Sequence, residues 1–224
     1  MKKQLLIYND QGVSQHQIPK IEKLFAHINI SVRKVDADYL KHKFLNPQTD
    51  ILCIPGGRDI PYQRKLMPLG VENIKKFVES GGKYLGICAG AYFASSSVEF
   101  EKGGKLEVIA KRNLEFYPSI AVGPILGLGA FDYYSENGVL WPDIHFVKDE
   151  KKIPMYYNGG CGFLDEHPDV EVIAYYPSRI PAIICCKVGS GTAILSGVHP
   201  EYLEDAELNA YLFELFINHF KIEF

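Results

Sequence analysis

Short apolar runs alternate with stretches of helical period through the first half of the chain. Gln4–Tyr8 is a compact apolar run that ends in a polar, glycine-containing loop, as a buried strand does. Ile18, Ile21, Leu24, Phe25 and Ile28 then recur at the spacing of one helix face, with Ser14 placed as N-cap and Gln17 at the capping-box position. Ile30–Val35 and Asp50–Ile54 read as the second and third strands, the third stopped by Pro55-Gly56-Gly57. Val71–Ser80 predicts a helix with Ile74, Phe77 and Val78 on one face, ended by Gly81-Gly82. Tyr84–Ile87 is a fourth strand; it runs into Cys88-Ala89-Gly90 and an Ala/Ser-rich segment read as a helix. Alternation of this kind builds a parallel sheet covered on both faces.

From residue 100 to 180 the rhythm changes. Short β-like runs at Leu106–Ile109, Ala121–Ile125, Phe131–Tyr134, Met155–Tyr157 and Val170–Tyr175 are divided by Gly, Pro and Asn. This predicts an antiparallel or mixed extension of the same domain. Ala182–Val188 and Thr192–Ser196, joined by Gly189-Ser190-Gly191, close the sheet. A last helix puts Leu208, Tyr211, Leu212, Leu215 and Phe216 on the stripe that packs against it. No linker or repeat interrupts the pattern, so residues 1–224 read as a single domain.

Composition removes several classes of function. The formal net charge is −3 and no basic block occurs, so neither nucleic acid nor an anionic membrane is an expected partner. The first apolar run, Leu5–Tyr8, is too short for a secretory signal, and no stretch is long enough to span a bilayer. The five cysteines, Cys53, Cys88, Cys161, Cys185 and Cys186, are odd in number and form no C-x-x-C pair. That argues against a disulfide framework and a structural zinc site and favours a reducing, cytoplasmic setting. No metal and no cofactor is expected.

The chemistry concentrates at Gly86-Ile87-Cys88-Ala89-Gly90, a G-x-C-x-G elbow between a strand and a helix. Such a turn leaves the sulfur at a helix N-terminus, where dipole and free amides favour thiolate, and aims the Ala89 amide at a developing oxyanion. A buried structural cysteine fits the same pattern. A cysteine nucleophile needs a base, and the base an orienter. His199 and Glu201 follow a closing strand, where open α/β sheets build their sites; the alternative for this pair is a capped turn. His167, in a charged loop ahead of a strand, is the less favoured base. Gly56 and Gly57 allow close backbone approach to a ligand, and the Gly57 amide completes an oxyanion hole with Ala89. Arg58, Asp59, Tyr62 and Tyr92, with Asn158, Gly159 and Gly160 from the insertion, are candidate pocket residues. A surface ion pair for Arg58–Asp59 and an N-G turn at Asn158-Gly159 account for those pieces equally well. Cys161 reads as a bystander rather than a resolving thiol.

In order and spacing, Pro55-Gly56-Gly57, G-I-C-A-G at 86–90 and His199-Pro200-Glu201 resemble class I glutamine amidotransferases. The resemblance implies a flavodoxin-like, doubly wound α/β fold: a mostly parallel sheet with helices on both faces and a β-rich insertion at about 100–180. It also implies a Cys88–His199–Glu201 triad. G-G-R-D-I-P-Y at 56–62, F-V-E-S-G-G-K-Y-L-G-I-C-A-G-A-Y at 77–92 and S-S-V-E-F-E at 96–101 are similar to the amidotransferase-like N-terminal domain of eukaryotic-type biotin–protein ligases. Y-Y-N-G-G at 156–160 and C-K-V-G-S-G-T-A-I-L-S-G-V-H-P-E at 186–201 continue that similarity over nearly the whole chain. Tyr92 stands where the glutaminases carry Gln, so free glutamine is not the expected substrate. No G-R-G-R-type loop occurs and little chain follows the last helix, so the resemblance implies a free-standing version of that domain. Two functions follow. One is a thiol-dependent amidohydrolase or amidotransferase acting on an amide or acyl substrate, with a partner protein supplying an acceptor activity. The other is a non-catalytic small-molecule-binding or regulatory module.

Overall fold

A computed structural model describes residues 3–26, 30–132 and 135–222. The strands of the first half are β1 (Gln4–Tyr8), β2 (Ser31–Val35), β3 (Asp50–Ile54), β4 (Lys83–Ile87), β5 (Ser95–Phe100) and β6 (Val108–Lys111). They are followed by β7 (Tyr117–Gly123), β8 (Asp143–Phe146), β9 (Lys152–Pro154), β10 (Gly162–Phe163), β11 (Val170–Tyr175), β12 (Pro181–Val188) and β13 (Gly191–Ser196). The helices are α1 (Ile18–Leu24), α2 (Ala37–His42), α3 (Asp59–Leu66), α4 (Leu69–Glu79), α5 (Ala89–Phe93) and α6 (Ala206–Phe220).

Strands β2-β1-β3-β4-β13 lie side by side in parallel. This is the 2-1-3-4-5 order of a flavodoxin-like doubly wound sheet. β12, β11, β8 and β9 continue the sheet antiparallel, while β10, β7, β5 and β6 form a separate four-stranded sheet. The insertion therefore both extends the first sheet and builds a second. β3 is buried at every position and β1 and β4 at all but their first, as strands covered on both faces must be. α1 leads into Phe25, which meets Phe213 of α6 edge to face at 5.8 Å. α2 and α4 are tied by the Asn73 amide, which donates to the Leu40 and Lys41 carbonyls. Asp36 and Asp205 cap α2 and α6 by accepting from the amides of Tyr39 and Leu208.

Several local expectations change. Ser14 makes no side-chain cap; the chain enters α1 through a 3₁₀ turn at Gln15–Gln17, and the Ser14 amide instead donates to the Gly56 carbonyl. The Ala/Ser-rich segment is helical only to Phe93, after which Ser95–Phe100 becomes β5. Burial of Val98 and Phe100 with Glu99 turned outward is a strand period that overrides the helix propensity of the preceding alanines. The β-like runs at 106–109 and 121–125 shift to β6 and β7, and Met155–Tyr157 forms isolated bridges rather than a strand. Helices α2 and α3 were not expected. Ile28 of the first helical stripe and Tyr133-Tyr134 of a β-like run lie outside the described residues. No helix among the described residues is long and apolar enough to cross a membrane.

Candidate active site

Cys88 sits where β4 turns into α5, with φ 49° and ψ −103°, outside the backbone regions that L-residues ordinarily occupy. Three backbone hydrogen bonds hold this geometry. The Cys88 N–H donates 2.7 Å to the Ser196 carbonyl at the end of β13, and the Cys88 carbonyl accepts from Ala91 and Tyr92 at 2.9 and 3.0 Å. A Cβ on Gly90 would overlap the Ile54 carbonyl, so only glycine lets the elbow lie this close to β3. α5 has five residues, less than a full dipole-bearing helix, so its N-terminus offers the sulfur only a weak dipole.

The His199 ring is 2% exposed and its Nδ1 lies 2.8 Å from Glu201 Oε1, on the 3₁₀ turn Pro200–Tyr202 that follows β13. The His199 amide donates to the Tyr156 carbonyl, so the insertion fixes the turn. Tyr156 and Tyr202 stack at 4.0 Å, and each meets the imidazole edge-on, at 5.3 and 5.7 Å. Burial alone would push the imidazole down. The Glu201 carboxylate, together with hydrogen bonding to Cys88 and Glu201, outweighs burial and pushes it up to about 10. With Nδ1 held by Glu201, Nε2 is the ring nitrogen left for another partner. Burial pushes the thiols of Cys53, Cys161 and Cys186 up, and that of Cys185 to about 12.

A cavity of about 550 Å³ opens above Cys88, and Gly57, Arg58, Asp59, Ala89, Tyr92, Asn158, Gly159 and His199 line it. Gly57 has φ 137° and forms a bridge with Val13, while the Arg58 amide donates to the Gly12 carbonyl; the loop after β1 thus clasps the Pro55-Gly56-Gly57 loop. Among the described residues neither the Gly57 nor the Ala89 amide is donated to another protein group. Gly56, Tyr62, Gly160 and Glu201 stand behind this lining. Tyr62 is fully buried and donates to the Gly56 carbonyl at 2.9 Å, which makes it a support of the loop rather than a cavity wall. Asp59 pairs with buried Arg112 at 2.7 Å, not with Arg58. Tyr92 donates its hydroxyl to the Gly159 carbonyl at 3.1 Å, and the Cys88 thiol faces the Asn158 carbonyl at 3.9 Å. His167 is exposed and lines a different depression. Among the described residues no group of three or more His, Cys, Asp or Glu is placed to hold a metal.

Sequence reasoning missed three parts of the lining, one of them the polar segment of Asp132, Ser135 and Glu136. Of the remaining two, the first is the loop after β1, including His16 and Gln17, and the second the apolar set Val98, Phe100, Val108 and Phe131. For the second, the alternation of Val98 and Phe100 was a usable signal. For the first, only the glycine of the loop hinted at close approach.

The family model of the biotin–protein ligase N-terminal region matches residues 3–212. The chain belongs to this family. An uncharacterised protein of Chlamydia muridarum is 38% identical over 212 residues, covering 90% of this chain and 81% of that one. A biotin–protein ligase of Schizosaccharomyces pombe is 36% identical over 217 residues, covering 88% of this chain but 33% of the ligase. This biotin–protein ligase N-terminal-type chain thus spans about a third of that ligase. Among solved structures, a glutamine amidotransferase superposes with a TM-score of 0.68 at 16% identity, covering 97% of this chain and 99% of the other. PurLQS from Thermotoga maritima gives 0.64 at 15% identity, covering 98% and 99%. At such identities the likeness is one of fold: a mixed α/β, glutamine amidotransferase-like architecture.

Proposed function

We propose that the chain is a cysteine-nucleophile acyl-transfer enzyme acting on the C–N bond of a small amide. One observation carries this: buried His199, paired with Glu201 at 2.8 Å, lines the same cavity as a cysteine held at an elbow of positive φ. In this reading the Cys88 thiolate attacks the amide carbonyl, and the Gly57 and Ala89 amides donate to the oxyanion. His199 Nε2–H protonates the departing amine as the C–N bond breaks, leaving a thioester on Cys88. Water then adds to the thioester while His199 takes its proton; the acid leaves and thiolate and imidazolium are restored. Glu201 holds Nδ1–H throughout and keeps the ring in the orientation that presents Nε2. A partner protein that receives the released amine or the acyl group, and a cytoplasmic setting, belong to the same proposal.

A second reading is a binding module without turnover. The thiol's contact with the Asn158 carbonyl supports it, because a thiol so engaged is held as a donor. Incubation with p-nitrophenyl acetate, followed by intact-mass and peptide mapping, separates the two. Acyl-transfer chemistry gives an acetyl adduct on Cys88 that is absent in Cys88→Ala and forms at least ten-fold more slowly in His199→Ala. Acylation with no dependence on His199, or at another cysteine, would leave the binding module.

A further inference from the structure

The cavity over Cys88 has two unlike walls. The loop after β1 and the Gly57–Asp59 segment give one of backbone and polar groups. The other comes from the second sheet. Val98 and Phe100 alternate on β5 and so face the same way, and Val108 lies directly across from Phe100 in the β5–β6 register. Tyr92 meets Phe100 edge to face at 5.8 Å, and Phe100 meets Phe131 at 5.3 Å. Ring contacts therefore link the elbow helix to the insertion. Phe131 also lies against Gly159, next to the Asn158 carbonyl that faces the Cys88 sulfur. The Tyr92 hydroxyl is already donated to the Gly159 carbonyl. Arg58 and Asp59 also line the cavity, as do Asp132, Ser135 and Glu136 just past Phe131, and Asp59 is committed to Arg112.

Val98, Phe100, Val108 and Phe131 themselves give no counter-charge to the ammonium and carboxylate of a free amino acid, and apolar surface beside a reaction centre gains most from covering apolar substrate. At about 550 Å³ the cavity falls within the range of small-molecule sites. Resting on the acyl-transfer reading above, we propose that the substrate is an amide whose acyl group is apolar, an aliphatic or aromatic chain of several carbons seated on Val98, Phe100, Val108 and Phe131. Such a seat prefers an apolar acyl chain to the charged one of a free amino-acid amide such as glutamine, which also finds no amide at position 92.

The full chain is compared for Cys88 acylation by p-nitrophenyl acetate and p-nitrophenyl hexanoate, each rate corrected by that of glutathione with the same ester. The hexanoyl group should be favoured by at least about ten-fold, since each enclosed methylene contributes to discrimination. Val108→Asp, at a half-buried site that tolerates change better than Val98, should lower that preference at least five-fold; Phe131→Ala, which removes a wall without adding charge, should lower it too. Equal corrected rates for the two esters, with Cys88 acylated by both, would overturn the apolar acyl pocket and leave the acyl-transfer reading standing. Acylation of Cys88 by neither ester sinks both.

Discussion

Glu201→Gln is the substitution that most directly tests the arrangement behind Cys88. It keeps the shape of a side chain that is 0% exposed and removes the charge lying 2.8 Å from His199 Nδ1. Burial, the largest influence on the imidazole, then acts with less opposition, so the ring should fall from about 10 toward or below the ordinary histidine value. Because the native folded value lies above the unfolded one, the pair's stabilisation is fully present below about pH 6.5. It is lost as pH rises through about 10. A charge-assisted hydrogen bond contributes about 1.5–3 kcal/mol, and Glu201→Gln should cost about that much at pH 6. Between pH 6 and 10.5 the gap between the two chains should close to within about 0.5 kcal/mol. Urea unfolding at three or more pH values measures the gap, and the ¹³Cε1 shift of His199 follows the ring directly. A gap that stays constant or widens with pH, or an imidazole still protonated at pH 8 in the variant, would refute the reasoning.

Iodoacetamide in limiting amount should modify Cys88 before the other four cysteines, which burial holds as thiols; peptide mapping that finds Cys53 or Cys161 first would contradict this. Gly90→Ala should destabilise by about 3 kcal/mol in urea unfolding, because the added methyl meets the Ile54 backbone rather than a movable side chain. It should also slow Cys88 alkylation; a fully stable, fully reactive variant is the contrary result. Tyr92→Phe should cost about 1 kcal/mol and speed amide exchange at Gly159 and Gly160, since the hydroxyl ties α5 to that loop. Ammonia release from free glutamine should remain at the level of Cys88→Ala, and efficient release by the native chain would argue for a glutaminase.

The elements that carry the candidate chemistry were legible because each is marked by backbone demands that sequence expresses directly. A glycine two residues either side of Cys88, a paired glycine after β3 and a histidine just past β13 are local signals, and the parallel strands beside them are apolar runs that only burial on both faces explains. What escaped was held by contacts between distant residues. Asp59 opens α3 rather than pairing with its neighbour because buried Arg112 takes its carboxylate, and nothing within a few residues of either predicts that match. The lining loop after β1 is similar: Gln17 fits a capping box by spacing, yet the turn is set by backbone hydrogen bonds from the loop to Gly56 and Arg58 across the sheet. Tyr92 is the case with most bearing on function. From sequence it reads as a replacement for a glutamine over the nucleophile. In the fold it is also the joint between α5, the second sheet through Phe100, and the Asn158–Gly160 loop. A residue in that position shapes the cavity through what it holds in place. Reverting it to Gln would therefore remove a support of the apolar wall before it supplied an amide, and Tyr92→Gln should lose more acyl selectivity than it gains in action on glutamine.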